Sequence, residues 1–261
     1  MPGTLVFSHA NGFPAGTYRL LFEHWRAAGW HVLALPRFGH DPRYPVVSNW
    51  RPSRDELIHF VEREAPGQAV HFVGHSLGGY LSLLAACKRP DLAAGLVLID
   101  SPVLAGWRAH SVQVMKAARL MGRVSPGRVS KSRRMQWASA EAAHAHYAAK
   151  SLFARWDPRV LADYVAAGIE AEPGADGVRL AFRREVETRF YNTLPHHFGT
   201  LLKRHPPRCP VAFIGGTRST EVRQVGLAET RAVTRGRISW LDGTHLFPME
   251  QPVAAADAVL H

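Results

Sequence analysis

The sequence predicts an α/β fold: a mostly parallel central sheet with helices on both faces, interrupted by an inserted helical cap. Three observations point there. Short, continuously apolar runs recur along the chain, separated by segments of helical periodicity, as in strands buried on both faces. The 261 residues, 46% of them hydrophobic, can bury one large core and suit a single α/β domain better than two small ones. Between residues 101 and 208 the alternation gives way to a helical segment rich in Ala, Arg and His. That is too long for a structureless connection inside a compact domain. The core is therefore expected over residues 1–100 and 209–261, and the cap over 101–208.

Taken in order, Thr4-Leu5-Val6-Phe7 reads as a strand and residues 17–28 as a helix with Leu20, Leu21 and Trp25 on one face. Residues 31–35 form the next apolar run. A helix over 53–64 places Leu57, Ile58 and Val61 at helical spacing, with Ser53 and Glu56 as a capping box. Strands follow at 70–73 and 96–99, on either side of a helix from Leu77 to about Lys88. Beyond the cap the alternation resumes with strands at 211–214 and 238–241 and a last helix over 252–260. Inside the cap, Asp157-Pro158 has the form of an N-cap and first-turn proline, Gly168 ends that helix, and 183–192 reads as another.

Composition narrows the function classes. The sequence has no long uncharged apolar run, so no membrane-spanning helix is expected. Met1-Pro2-Gly3-Thr4 enters an apolar run with no basic segment before it, unlike a secretory signal. Cys87 and Cys209 form neither a disulfide framework nor a metal spacing, and free thiols in a cytoplasmic protein are the expectation. The net charge of +11 admits nucleic acid, anionic lipid or acidic substrates. Much of it falls on Lys116, Arg119, Arg123, Arg128, Lys131, Arg133 and Arg134, a stretch without an acidic residue. Aromatic residues are not interleaved there as a nucleic-acid platform would need. A solvated basic cap surface is expected, with no nucleic-acid partner, and inward-facing arginines that pair with an anionic substrate stay open. His144, His146, His196 and His197 lack a supporting carboxylate or cysteine cluster, so no metal is expected.

Gly74-His75-Ser76-Leu77-Gly78-Gly79 lies between a predicted strand and a predicted helix, the context a Gly-x-Ser-x-Gly elbow requires. So tight a turn strains the serine dihedrals, and Gly74 and Gly78 relieve the clashes. Ser76 then projects its hydroxyl beside the free N–H groups of the helix that follows. On these residues the chain resembles the α/β hydrolase superfamily, from its first strand to its last helix. The resemblance implies the α/β hydrolase fold and esterase-like serine hydrolysis of a small-molecule substrate without a cofactor.

A serine hydroxyl is a poor nucleophile until a base takes its proton. The resemblance assigns that role to His245, in the loop between the last strand and the last helix. Many superfamily members carry the triad acid just past the strand after the cap, but here Gly215 to Thr220 holds no carboxylate and Glu221 is the first. Asp100 ends the strand before the cap, where a subset of the superfamily, including small-molecule esterases, places its acid. Asp100 is therefore expected to be the acid, Glu221 the alternative, and Asp242 to hold the histidine loop. Ser8-His9-Ala10-Asn11-Gly12-Phe13-Pro14 corresponds to the family's oxyanion loop, with Ala10 where glycine is usual. It implies an oxyanion hole from the N–H groups of Asn11 and Leu77. Family members usually have one or two strands ahead of this one, so the sheet edge is expected to be trimmed or the start truncated. Carboxylic ester hydrolysis is the expected activity. Thioester, lactone and carbon–carbon bond hydrolysis use the same machinery, and a non-catalytic ligand receptor on this scaffold is a rival.

Overall fold

The computed structural model describes residues 3–104, 130, 132–174 and 176–261. Five of the seven basic cap residues, Lys116, Arg119, Arg123, Arg128 and Lys131, lie outside the described residues. Up to residue 99 the chain alternates strand and helix: β1 (Thr4–Ser8), α1 (Arg19–Ala27), β2 (His31–Ala34), α2 (Arg51–Glu64), β3 (Val70–His75), α3 (Leu77–Lys88) and β4 (Ala93–Ile99). Two further strands, β8 (Val211–Gly216) and β9 (Ile238–Leu241), complete a six-stranded sheet of order β2-β1-β3-β4-β8-β9. All five pairings are parallel, as strands joined by crossover helices must be.

Side-chain alternation along these strands divides the interior in two. Val6 and Phe72 face one way and pack with Leu57 and Val61 of α2, Leu83 and Leu84 of α3, and Phe213. Leu5, Phe7 and Val73 face the other way, against Tyr18, Leu21 and Trp25. There Trp25 donates its indole N–H to the Ala256 carbonyl at 3.0 Å.

One expected local feature is absent. Helix α2 begins at Arg51, before Ser53, with Pro52 in its first turn, and Trp50 precedes it in a left-handed conformation, φ 55°. Ser53 and Glu56 are buried within the helix, so they form no capping box. Among the described residues the Ser53 hydroxyl has no partner, and Glu56 accepts the Gly39 N–H at 3.1 Å. Proline starts the helix two residues early, and tertiary packing claims the polar pair that the sequence offered as a cap.

Between β4 and β8 the described chain contains β5 (Gln136–Trp137), α4 (Ala140–Ala148), α5 (Pro158–Gly168), β6 (Ile169–Ala171), β7 (Val178–Leu180), α6 (Arg184–Asn192) and α7 (Phe198–Arg204). Asp157 caps α5 by accepting the Arg159 N–H at 2.9 Å. The three short strands form an antiparallel sheet of order β5-β7-β6 that the periodicity did not announce. This segment is not a detached lid. Its buried Trp137, Tyr147, Trp156 and Tyr164 belong to the same apolar cluster as Phe7 and Trp25, and Phe13 after β1 packs on Trp156 and Tyr164 at 5.7 and 5.6 Å between ring centres.

After β8 come α8 (Thr220–Val225) and α9 (Ala228–Thr234), and after β9 come α10 (Phe247–Glu250) and α11 (Pro252–Leu260). The parallel register pairs Ser8 with Gly74, His75 with Ile99, and Ile99 with Ile214, so four strands end along one edge. The sharpest turn there is β3 to α3. A Cβ on Gly78 would collide with the Ser8 carbonyl, a backbone atom that cannot rotate aside. Gly78→Ala is therefore expected to lose about 3 kcal/mol of stability, at the upper end of overpacking costs. Gly67→Ala, with positive φ but open space around it, should lose about 1 kcal/mol. Denaturant unfolding of the two variants checks the ranking.

Candidate active site

Ser76 stands between β3 and α3 at φ 54°, ψ −115°, a conformation costing a non-glycine residue about 1–3 kcal/mol. The surrounding frame imposes it. The Ser76 N–H donates to the Ile99 carbonyl at 3.0 Å, and its own carbonyl accepts from Gly79 N–H at 3.1 Å and the Ser101 hydroxyl at 3.0 Å. Asp100, just past β4, is the second strained residue, at φ 43°. Its N–H donates to the Ile214 carbonyl of β8 at 2.8 Å.

The structure brings Ser76, His245 and Asp100 into one line. His245 Nε2 lies 2.9 Å from Ser76 Oγ, and its Nδ1 lies 2.6 Å from Asp100 Oδ2. A carboxylate can only accept, so Nδ1 carries the proton and the Nε2 lone pair faces the Ser76 hydroxyl. Asp100 is 1% exposed. Its oxygens also accept from the Gly216 N–H at 2.8 Å and the Ser219 hydroxyl at 2.6 Å, bonds that compensate a buried carboxylate.

Glu221 stands apart from this line. Its Oε2 is 3.9 Å from His245 Nδ1, its side chain is 43% exposed, and it accepts from the Thr220 hydroxyl at 2.9 Å. Burial disfavours the His245 imidazolium. The bond to Asp100 and that residue's charge, with a smaller contribution from Glu221, outweigh burial and hold the pKa above 6.5. Asp100, Glu221 and His245 place candidate ligand atoms within 4.8 Å of one another. His245 offers no free lone pair toward these carboxylates, because its Nδ1 carries the proton donated to Asp100 and its Nε2 faces the Ser76 hydroxyl.

The histidine loop is held from below. Glu250 accepts the Thr244 N–H at 3.1 Å and the Thr244 hydroxyl at 2.5 Å. Asp242 accepts from the Thr217 hydroxyl at 2.9 Å and pairs with Arg218, as expected of a loop anchor. The loop after β1 is fixed as firmly. Phe38 N–H donates to His9 Nε2 at 3.0 Å, so His9 Nδ1 carries the proton given to the Ala10 carbonyl at 2.8 Å. Burial lowers the His9 pKa to about 4, which keeps that arrangement neutral. The Asn11 side chain donates to the Glu187 carbonyl of α6 at 3.0 Å. Leu77 is the first residue of α3, where an N–H has no intrahelical acceptor.

Sequence reasoning missed His75 and Tyr18. The His75 ring bonds to the Tyr18 hydroxyl at 2.7 Å and to the main-chain carbonyl of His245 at 2.9 Å. His75 closes β3, inside the serine motif. The available signal was polarity, since a histidine inside an apolar strand must find partners.

A cavity of about 500 Å³ opens onto Ser76 and His245, its walls including Asn11, Phe13, Arg133 and Tyr191. Arg133 faces inward and pairs with buried Glu187 at 3.1 Å. Arg134 is exposed and donates to the Gln136 carbonyl.

A profile of the alpha/beta hydrolase family matches residues 5–258. The chain belongs to that family. It is 34% identical over 142 residues to the monoglyceride lipase of Rattus norvegicus, covering 50% of this chain and 47% of that protein. Against the monoglyceride lipase of Homo sapiens it is 33% identical over 132 residues, covering 48% and 44%. The chain thus spans about half the length of the curated relatives it matches. Among solved structures, E-2-(acetamidomethylene)succinate hydrolase superposes with TM-score 0.74 at 20% identity, covering 99% of this chain and 90% of that one. The thioesterase domain from the curacin biosynthetic pathway gives 0.73 at 20% identity, covering 100% and 91%. At such identity the likeness is one of fold. No helix among the described residues is long and apolar enough to cross a membrane.

The two carboxylates near His245 make different demands on its titration. Asp100→Asn removes the partner that offsets burial and should lower the His245 pKa. Glu221→Gln should lower it much less. Histidine titration by NMR checks the order, and a larger fall in Glu221→Gln would make Glu221 the main partner.

Proposed function

We propose that the chain is a serine hydrolase that cleaves a carboxylic ester of a small organic substrate through an acyl-enzyme on Ser76. The observation that carries this reading is the unbroken line from the Ser76 hydroxyl through His245 to buried Asp100.

His245 Nε2 takes the Ser76 proton as Oγ attacks the ester carbonyl. Asp100 keeps the imidazole in the Nδ1–H form and stabilises the imidazolium that forms. The N–H groups of Asn11 and Leu77 receive the developing oxyanion, usually a large part of the acceleration. The imidazolium returns its proton to the leaving alcohol, whose oxygen departs with the bonding pair. Water, deprotonated by the same histidine, then cleaves the acyl-enzyme and restores Ser76. The chain's own groups supply every step, and no cofactor enters. The insertion acts as the cap that shapes the pocket, and Arg133, Leu152, Arg155 and Tyr191 are its residues along the cavity. The lipase relatives favour an oxygen ester, although the same groups would cleave a thioester.

A fluorophosphonate probe should label wild type at Ser76 and leave Ser76→Ala unlabelled. A receptor with an inert site would not react, and labelling that survives the substitution would end the reading. On a panel of aryl esters and thioesters of increasing acyl length, Ser76→Ala should lose at least about 1,000-fold in kcat. Asp100→Asn should lose on the order of 10,000-fold.

The pH profile follows from the sign of the histidine shift. The base works only when neutral and its pKa is raised, so kcat/KM should fall as pH drops through a midpoint above 6.5. A midpoint below 6.5 would contradict His245 as the base.

A further inference from the structure

Behind the candidate site runs a chain of hydrogen bonds with main chain at both ends. The Ala10 N–H lies 3.2 Å from the Tyr18 hydroxyl, that hydroxyl 2.7 Å from His75 Nδ1, and His75 Nε2 2.9 Å from the His245 carbonyl. Tyr18 and His75 are 1% and 0% exposed.

The ends fix every proton between them. A carbonyl only accepts, so Nε2 of His75 must carry a proton. A neutral imidazole must then accept at Nδ1, and Tyr18 supplies that proton. An amide only donates, so the Tyr18 oxygen receives the Ala10 N–H on a lone pair. All donors and acceptors are satisfied in one direction. An imidazolium would place a second N–H against Tyr18 and leave the hydroxyl proton without an acceptor. Burial above all keeps His75 neutral, lowering its pKa far below 6.5. The His245 charge adds to this, the bond to the His245 carbonyl opposes it, and His9 contributes in the lowering direction. Burial also raises the Tyr18 pKa, so its hydroxyl stays protonated.

His245 sits on a loop, and its flanking carbonyls serve other ends. Those of Thr244 and Leu246 accept from Phe247 and Met249 N–H of the short helix that follows. The His245 carbonyl accepts from His75, the residue just before Ser76. One ring therefore links the strand that carries the hydroxyl directly to the backbone that carries the imidazole.

We propose that His75 is a positioning residue: as a permanently neutral Nε2–H imidazole it fixes the main chain of His245, and through Tyr18 it ties the base, the serine strand and the loop after β1 into one frame. Its kinetic consequence rests on the ester-hydrolase reading above, whereas its tautomer does not.

The tautomer can be read on the whole wild-type chain by long-range proton–nitrogen NMR of labelled histidine. The expected His75 pattern is a protonated Nε2 and a bare Nδ1, unchanged from about pH 5 to about pH 8, the range where a free imidazole titrates. A protonated Nδ1, or an imidazolium in that range, overturns the proposal. His75→Phe keeps the ring volume and loses the donor, and should cut kcat by about 30-fold with KM within about twofold, as small misplacement of a base does. His75→Gln restores an N–H near the Nε2 position and should come within about threefold of wild-type kcat. Equal kcat in His75→Phe and wild type, or an equal loss in Gln and Phe, also overturns it. If His75→Phe does not fold, the wild-type tautomer still decides. A wild type inert toward every ester and thioester would sink the hydrolase reading and leave the tautomer result standing.

Discussion

The hydrogen bond between Asp100 and His245 is the contact on which the rest of the candidate site depends. A buried imidazole left alone resists protonation, and a loop imidazole left alone has no fixed tautomer. The carboxylate removes both problems through one 2.6 Å contact. It can do so only where β4 ends beside β8. The Asp100 amide donates to β8, the Gly216 amide donates back to the carboxylate, and the Ser219 hydroxyl adds a further bond. Parallel pairing of β4 with β8 therefore aims the acid as well as building the sheet. The strained φ at both Ser76 and Asp100 follows from the same geometry: each strand stops abruptly at the sheet edge and turns its next side chain toward the common point.

Much of the core was legible because its signals are strong and local. Continuous apolar runs separated by helical periodicity identify strands buried on both faces, and all six expected strands lie in the observed sheet. The serine turn was legible because glycine is required where any Cβ would meet backbone. His245 and Asp100 were found through family resemblance at corresponding positions, and the structure brings both to Ser76. The small sheet of β5, β6 and β7 was illegible because strands of two or three residues carry no periodicity. The capping box failed for another reason. Ser53 and Glu56 fit the local rule, but burial at a helix already started by Pro52 overrode it. The His75–Tyr18 link joins residues 57 apart in the chain, and nothing in a single sequence marks such a pair.

Part of the positive charge sits beside carboxylates. Among the described residues many arginines are matched locally: Arg43 with Asp41, Arg89 with Glu62 and Asp91, Arg159 with Asp157. Such exposed pairs add little stability, yet they blunt the field that an unpaired run would project. Arg133 differs in kind. It stands at the cavity wall with Glu187 behind it, and a buried pair left with one partner would be strongly destabilised. An anionic substrate group drawn to Arg133 would therefore meet a guanidinium whose charge is already largely balanced.

The same corner explains why the inserted segment and the candidate chemistry are coupled. Glu187 lies on α6, and its carbonyl receives the Asn11 side chain. Phe13, two residues further along that loop, packs against Trp156 and Tyr164 of the insertion. The loop whose amide is assigned to the oxyanion is thus clamped on one side by His9 and Tyr18 of the core and on the other by the insertion. A shift of α6 cannot leave Asn11 where it was unless the 3.0 Å bond breaks. The insertion and the loop that the ester-hydrolase reading assigns to the oxyanion are therefore mechanically joined through this one contact.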